Sequence, residues 1–176
     1  MNKETTELIK ELKSSLATSN GIQRKAWTNA IIKNDLKIKD LSELLWCEQK
    51  IANRFLWLLS DIGLSAPNKL LKELTFLLNF FEQNKGNYIT SMASFWRYVG
   101  VPIEDEGRAI DLLFSWLVSK DTNVTTKSRS LFVLFELTKK YPDLKNELKL
   151  CLQDQMNKQT PDFEKRAKKI LMQLEQ

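Results

Sequence analysis

Apolar residues recur along this chain at the three- and four-residue spacing of one face of an α-helix, and the pattern is sharpest over residues 127–174. There Leu131, Leu134 and Phe135 share one side of a helix while Phe132, Val133 and Leu137 cover the others, so this helix is expected to be buried between neighbours all round. Tyr141 and Pro142 open a second helix, with Leu144, Leu148, Cys151 and Leu152 at helical spacing. Thr160 as N-cap and Pro161 at the first helical position open a third, whose stripe is Phe163, Ala167, Ile170, Leu171 and Leu174.

The upstream sequence reads as looser copies of the same unit. Residues 5–17 form an amphipathic helix with Leu8, Ile9, Leu12 and Leu16 on one side. After a turn at Asn20 and Gly21, a helix over 22–33 sets Ala26, Ala30 and Ile31 inward with Trp27 near them. Ile38, Leu41 and Leu45 mark a short third helix, and 48–62 a fourth, with Ile51, Phe55, Leu58, Leu59 and Ile62 inward and Gly63 as its stop. A fifth helix begins near Pro67, carries Leu70, Leu74, Leu77, Leu78 and Phe81 as one stripe, and ends in the polar run 83–86. A sixth covers 87–99, with Ile89, Met92, Phe95 and Trp96, and stops at Gly100 and Pro102. Glu104, Asp105 and Glu106 fall in the first turn of a seventh, where the positive end of the helix dipole favours acids. Ile110, Leu113, Phe114 and Leu117 face inward from it, and 120–126 is the loop that follows.

Composition narrows the class. A chain of 176 residues with 43% hydrophobic and 28% charged content buries a real core, and five glycines with four prolines are too few for a many-turned barrel. The net charge of +5 is uneven, with basic ends and a slightly acidic middle over 41–119. Lys and Arg are interleaved with Asp and Glu as on solvated helix faces, which makes nucleic acid a less favoured partner than protein or peptide. Cys47 and Cys151 read as small buried hydrophobes. With no histidine, no CxxC pair and no glycine-rich phosphate loop, neither a metal, a cofactor nor a common catalytic constellation is expected. The acids Glu104, Asp105, Glu106 and Asp111 read as a helix cap rather than a magnesium site, since consecutive helical residues point apart. No apolar run approaches the ~20 residues of a bilayer span, and a reducing cytoplasm is the expected compartment.

Ten helices pair as five hairpins, and their second helices superpose. Placing Arg24, Arg54, Arg129 and Arg166 in register aligns KAWTNAII, FLWLLSDI, SLFVLFEL and AKKILMQL, with Ser91 in the third unit and steps of 30, 37, 38 and 37 residues. This register resembles HEAT and armadillo-type repeats over essentially the whole of 1–176. The resemblance implies a single all-α domain, a superhelix of about five antiparallel helix pairs, each burying its face against its neighbours. The register arginines then have a locking role, reaching carboxylates or carbonyls of the adjacent hairpin.

The five tryptophans, at 27, 46, 57, 96 and 116, occur almost once per repeat and are read mainly as filling the gaps between hairpins. If they line a groove instead, Trp57, Arg54, Trp96 and Arg97 are the candidate binding residues. Trp57 and Asp61, one turn apart, also resemble the arrangement in helical-repeat glycosylases that remove alkylated bases from DNA. That resemblance implies Trp57 against the nucleotide, Asp61 stabilising the developing cation, and Arg54 or Arg97 on phosphate. The leading expectation is a non-enzymatic protein-interaction scaffold with no catalytic residue, and the alternative is a nucleic-acid-binding repeat protein of glycosylase type.

Overall fold

The structure, a computed structural model, describes residues 3–83 and 88–175, and these are helical throughout with no strand among them. Chain contacts divide into two units, Met1–Asn84 and Lys85–Gln176. The polar run over 84–86 and the expected helix start at 87 lie outside the described residues.

The first unit holds α1 (Lys3–Ser15), α2 (Gly21–Lys33), α3 (Gln49–Ser65), α4 (Pro67–Leu71) and α5 (Leu74–Gln83), with 3-10 helices at Leu16–Thr18 and Ile38–Trp46. Asn20 starts α2 with a full capping box: its side chain accepts from Gln23 N while the Gln23 side chain accepts from Asn20 N. Helices α2 and α4 pack on α3, and the Ile38–Trp46 segment packs on both α1 and α3. Phe55, Leu58, Leu59 and Ile62 of α3 are completely buried, each such side chain contributing about 1.5–3 kcal/mol of transfer free energy.

Several expectations change here. The short third helix is 3-10; Ile38, Leu41 and Leu45 are buried as expected, and Leu44, three residues after Leu41, is buried with them because side chains three apart eclipse in that helix. Gly63 does not stop α3. It is buried inside the helix, which ends only where Ala66 turns out of helical geometry (φ −143°, ψ 72°), as the residue before Pro67 must. The expected single fifth helix is α4 and α5, parted at Lys72 and Glu73, where the bonding tightens to Glu73 N→Leu70 O at 3.0 Å. That 3-10 step advances the chain by about 120° rather than about 100°. Leu70, Leu74, Leu77 and Leu78 are nevertheless buried as expected, and only at the end of the stripe is Phe80 buried rather than Phe81. On α2, Ala26 faces solvent, and Trp27, Thr28 and Ile31 form the buried side.

The second unit holds α6 (Ile89–Val99), α7 (Glu106–Val118), α8 (Val124–Lys140), α9 (Leu144–Gln155) and α10 (Pro161–Leu174), with 3-10 turns at Ile103–Asp105 and Met156–Lys158. Helix α8 packs against α6, α7, α9 and α10, and α9 also packs on α7 and α10. Gly100 ends α6 at φ 87°, a conformation an L side chain rarely adopts. Asn123 caps α8 by accepting from Thr126 N at 2.9 Å, so that helix begins inside the stretch expected to be loop. Thr160 caps α10, accepting from Phe163 N at 3.4 Å, with Pro161 at its first position as the sequence predicts.

The central place of α8 holds, but its all-round burial does not. Leu131, Val133, Leu134 and Leu137 are buried, while Phe132 is 40% exposed and Phe135 half-buried. The acids near the start of α7 divide between the 3-10 turn and the helix proper, and Ile110 is only half-buried. Cys47 and Cys151 are likewise half-buried rather than core, and burial raises the Cys151 thiol pKa. Lys127 of α8 is enclosed: it donates to Gln155 Oε1 at 2.9 Å, and burial lowers its pKa.

Candidate functional site

In the first unit α3 presents Arg54, Trp57 and Asp61 on successive turns, beside Arg24 of α2. The Arg54 guanidinium lies 4.5 Å from the Trp57 ring centroid and that of Arg24 5.7 Å, both within cation–π range. Arg24 Nε also donates to Asp61 Oδ2 at 3.2 Å. Trp57 is 52% exposed, so three of the candidate residues gather at one surface, but each positive charge there already has a partner in the same cluster. Beside it, a shallow cavity of about 290 Å³ is lined by Arg24, Lys25, Thr28, Asp61 and Leu64.

The other two candidates lie on α6 and part company. Trp96 is buried and stacked on Trp116 with ring centroids 5.6 Å apart. Its Nε1 is buried without a hydrogen-bond partner among the described residues. Arg97, next in sequence, faces out, and its guanidinium lies 5.2 Å from the Phe132 ring centroid. The remaining tryptophans split in the same way: Trp27 is buried with Nε1 donating to Glu11 Oε1 at 2.8 Å, whereas Trp46 is exposed and meets Phe80 edge-on.

Arg97 opens onto a surface the sequence reading missed. Helices α6, α8 and α10 line a groove of about 360 Å³ whose apolar floor includes Leu131, Phe132, Phe135 and Ile170, with Arg97 and Arg166 at its sides. A second hollow of about 330 Å³ continues it past Phe132 along α8, and Trp96 lines that part. At the other end it runs into a pocket of about 250 Å³ formed with the starts of α8 and α10. The signal was in the sequence: Ser128, Glu136 and Lys139 fall on the same helical face as Phe132, so a polar strip brackets the one aromatic that turns outward.

Charge along the groove is unbalanced. Glu136 is answered by Lys139 at 2.7 Å, but neither Arg97 nor Arg166 makes an ion pair among the described residues. Arg129 is held by the backbone, Nη1 donating to Thr90 O at 3.2 Å. Its helix is fixed to α6 by a polar knot in which the Thr90 and Thr126 hydroxyls lie 2.6 Å apart and Asn123 Nδ2 donates to Thr90 Oγ1 at 3.0 Å. Of the four arginines aligned in the sequence, Arg24 reaches a carboxylate and Arg129 a carbonyl of a neighbouring helix, while Arg54 stays on its own helix and Arg166 faces the groove.

Two acids of the Glu104–Glu106 run are engaged in ion pairs. Asp105 pairs with Arg108 at 3.2 Å, and Glu106 Oε2 accepts from Lys140 at 2.6 Å and from the Tyr141 hydroxyl at 2.5 Å. Burial pushes the Glu106 carboxyl upward, but the bonds from Lys140 and Tyr141 outweigh it and hold the pKa below the ordinary value. Among the described residues no three acids or thiols converge as a metal ion needs, and no helix is long and apolar enough to cross a membrane. No family model, curated protein or solved structure matches the chain.

Proposed function

We propose that this protein is a non-enzymatic interaction module built of HEAT-like helix pairs, a superhelix of about five, and that it takes a partner peptide along α6, α8 and α10. One observation carries the reading: a half-exposed aromatic, Phe132, lies in an open apolar groove beside arginines that have no carboxylate of their own. Aromatic and arginine side chains at the centre of a concave surface are what concentrate binding energy in protein interfaces. The pairing of α6 with α8 and of α8 with α10 supports the repeat assignment, since such arrays stack equivalent helices side by side.

The test begins with peptides selected by display against the full chain. Their binding is expected to shift the amide resonances of α8 and α10, and Phe132→Ala is expected to weaken it about tenfold or more, the effect of losing one interface anchor. Peptides that bind with no dependence on Phe132 refute the assignment of this groove.

A second reading, a nucleic-acid-binding repeat protein of glycosylase type, is favoured by the gathering of Arg54, Trp57 and Asp61 on α3. Against it stands the Arg24 to Asp61 pair, which places a fixed cation where the carboxylate would have to meet a developing one.

A further inference from the structure

We propose that the pocket at the starts of α8 and α10 recognises a phosphoryl group on the partner peptide, so that phosphorylation of a serine or threonine governs docking. This rests on the reading of the adjoining groove as a peptide site. Arg97, Arg129 and Arg166 come from three different helices and line this one pocket together with the hydroxyl-bearing Ser128 and Thr160. Asp162 is the acid among its lining residues, so three guanidinium groups against one carboxylate leave two positive charges. A phosphomonoester carries about −1.5 to −2 at neutral pH and offers three strong acceptor oxygens, which matches that excess in sign and size. Planar guanidinium forks suit such a group better than ammonium ions do.

The pocket is also organised in advance. Arg129 is fixed by its bond to Thr90 O, and Arg97 by its position over Phe132, so the side-chain entropy lost on capturing an anion is reduced. At about 250 Å³ the pocket is smaller than the roughly 300–1,000 Å³ clefts that hold whole small molecules, a size suited to one charged group at the end of a longer ligand. What continues from it decides the class of that ligand. Arg97, Ser128 and Arg166 are shared with the apolar groove, where Leu131, Phe132 and Ile170 offer a place for a hydrophobic side chain. A nucleic-acid backbone would need a continued run of phosphate contacts; the groove adds Lys139 and Lys169, but Lys139 is taken up by Glu136 and Leu131, Phe132, Phe135 and Ile170 make its floor apolar. A peptide with a phosphorylated residue next to a large apolar one fits both parts.

The experiment is an array of peptide pairs, each pair identical in sequence and differing only by phosphate on a central serine or threonine, probed with the full chain and followed by anisotropy titration of retained pairs. The phosphorylated twin is expected to bind at least about tenfold more tightly. Arg97→Gln and Arg166→Gln should each erase that preference, and millimolar inorganic phosphate should displace the phosphorylated twin alone. Phe132→Ala should weaken both twins. Twins that bind equally and both weaken with Phe132→Ala would leave the groove a peptide site and overturn its phosphoryl specificity. Binding of neither twin overturns both readings, and tighter binding of a DNA oligonucleotide, lost in Arg166→Gln, replaces the phosphopeptide with a nucleic acid. The phosphate competition needs no substitution, so it decides the matter even if an arginine variant fails to fold.

Discussion

Two clusters of arginine and aromatic residues, one in each unit, use the same ingredients to opposite ends. In the first unit both Arg24 and Arg54 cover Trp57, and Arg24 is in addition matched by Asp61 at 3.2 Å, so one of the two cations has a carboxylate within the fold. In the second, Arg97 covers Phe132 but no carboxylate among the described residues answers it, and Arg166 faces an open groove. Both sets include arginines that the sequence alignment places in one register. An aligned arginine is tied to a neighbouring helix where that helix supplies an acceptor, as Asp61 and the Thr90 carbonyl do for Arg24 and Arg129. Where no acceptor is supplied, the same position leaves a cation for a ligand.

The largest effect that tests this contrast separates the two faces of α8. Leu134 is fully buried, and Leu134→Ala is expected to destabilise the second unit by about 2–5 kcal/mol. Two positions earlier, Phe132→Ala should cost less than about 1 kcal/mol because much of its ring already meets solvent. Urea unfolding of the two variants measures the difference. Equal losses would mean that the groove floor belongs to the core and that the open surface has been misplaced.

A smaller effect concerns how acids are used around the groove. Glu106 holds Lys140 and the Tyr141 hydroxyl, and Glu106→Gln keeps the shape but removes the charge from those bonds, an expected loss of about 1 kcal/mol. The pH dependence follows from the direction of the shift. The folded carboxyl has a pKa below its unfolded value of about 4.3, so the unfolded chain binds more protons as the pH falls through this range. The stabilisation is therefore complete above the unfolded pKa and lost as pH drops through the folded one. Lys140 has its pKa raised, first by the same bond to Glu106, so on the alkaline side the stabilisation is lost as pH rises through the folded lysine value. Thermal unfolding from pH 3 to pH 8 should show the acid-side slope in the native protein and a shallower one in Glu106→Gln.

Helix type and most inward faces were legible in the sequence because burial and periodicity are local signals. Phe163, Ala167, Ile170 and Leu174 are all buried where the stripe puts them, under the Thr160 cap read from the same sequence. Misread positions were those decided by competing local chemistry. Gly63 suits a helix end by type, but Pro67 sets the end, and in the Ile38–Trp46 segment Leu44 and Leu45 are both buried, so apolar spacing alone does not separate a 3-10 helix from an α-helix. The candidate site was legible in part. Arg97 and the register arginines were visible as residues, whereas their convergence depends on how α6, α8 and α10 pack, which no single helix encodes. Phe132 was hidden by its apolar neighbours, because hydrophobicity alone does not distinguish a core aromatic from one turned to a groove.

The smallest effect bears most directly on the first unit. Asp61→Asn removes the carboxylate that Arg24 holds, and because both side chains are partly exposed the expected cost is only about 0.2–1 kcal/mol in chemical unfolding. Its value lies in what it does to charge. Freed of Asp61, Arg24 joins Arg54 beside Trp57 as an unanswered cation, and the first cluster comes to resemble the second. If the contrast between the units is one of satisfied against unsatisfied arginines, the variant should gain weak, salt-sensitive affinity for a generic DNA duplex or an acidic peptide while binding at Phe132 stays unchanged. The glycosylase reading requires the reverse. In that case the native protein releases an alkylated base from methylated DNA and Asp61→Asn abolishes the release, because a neutral amide cannot stabilise the positive charge that develops as the bond breaks. Measuring base release and duplex binding on the same two proteins separates the alternatives: a structural carboxylate gives no release from either protein and a modest gain in anion binding, and a catalytic one gives release that vanishes with its charge.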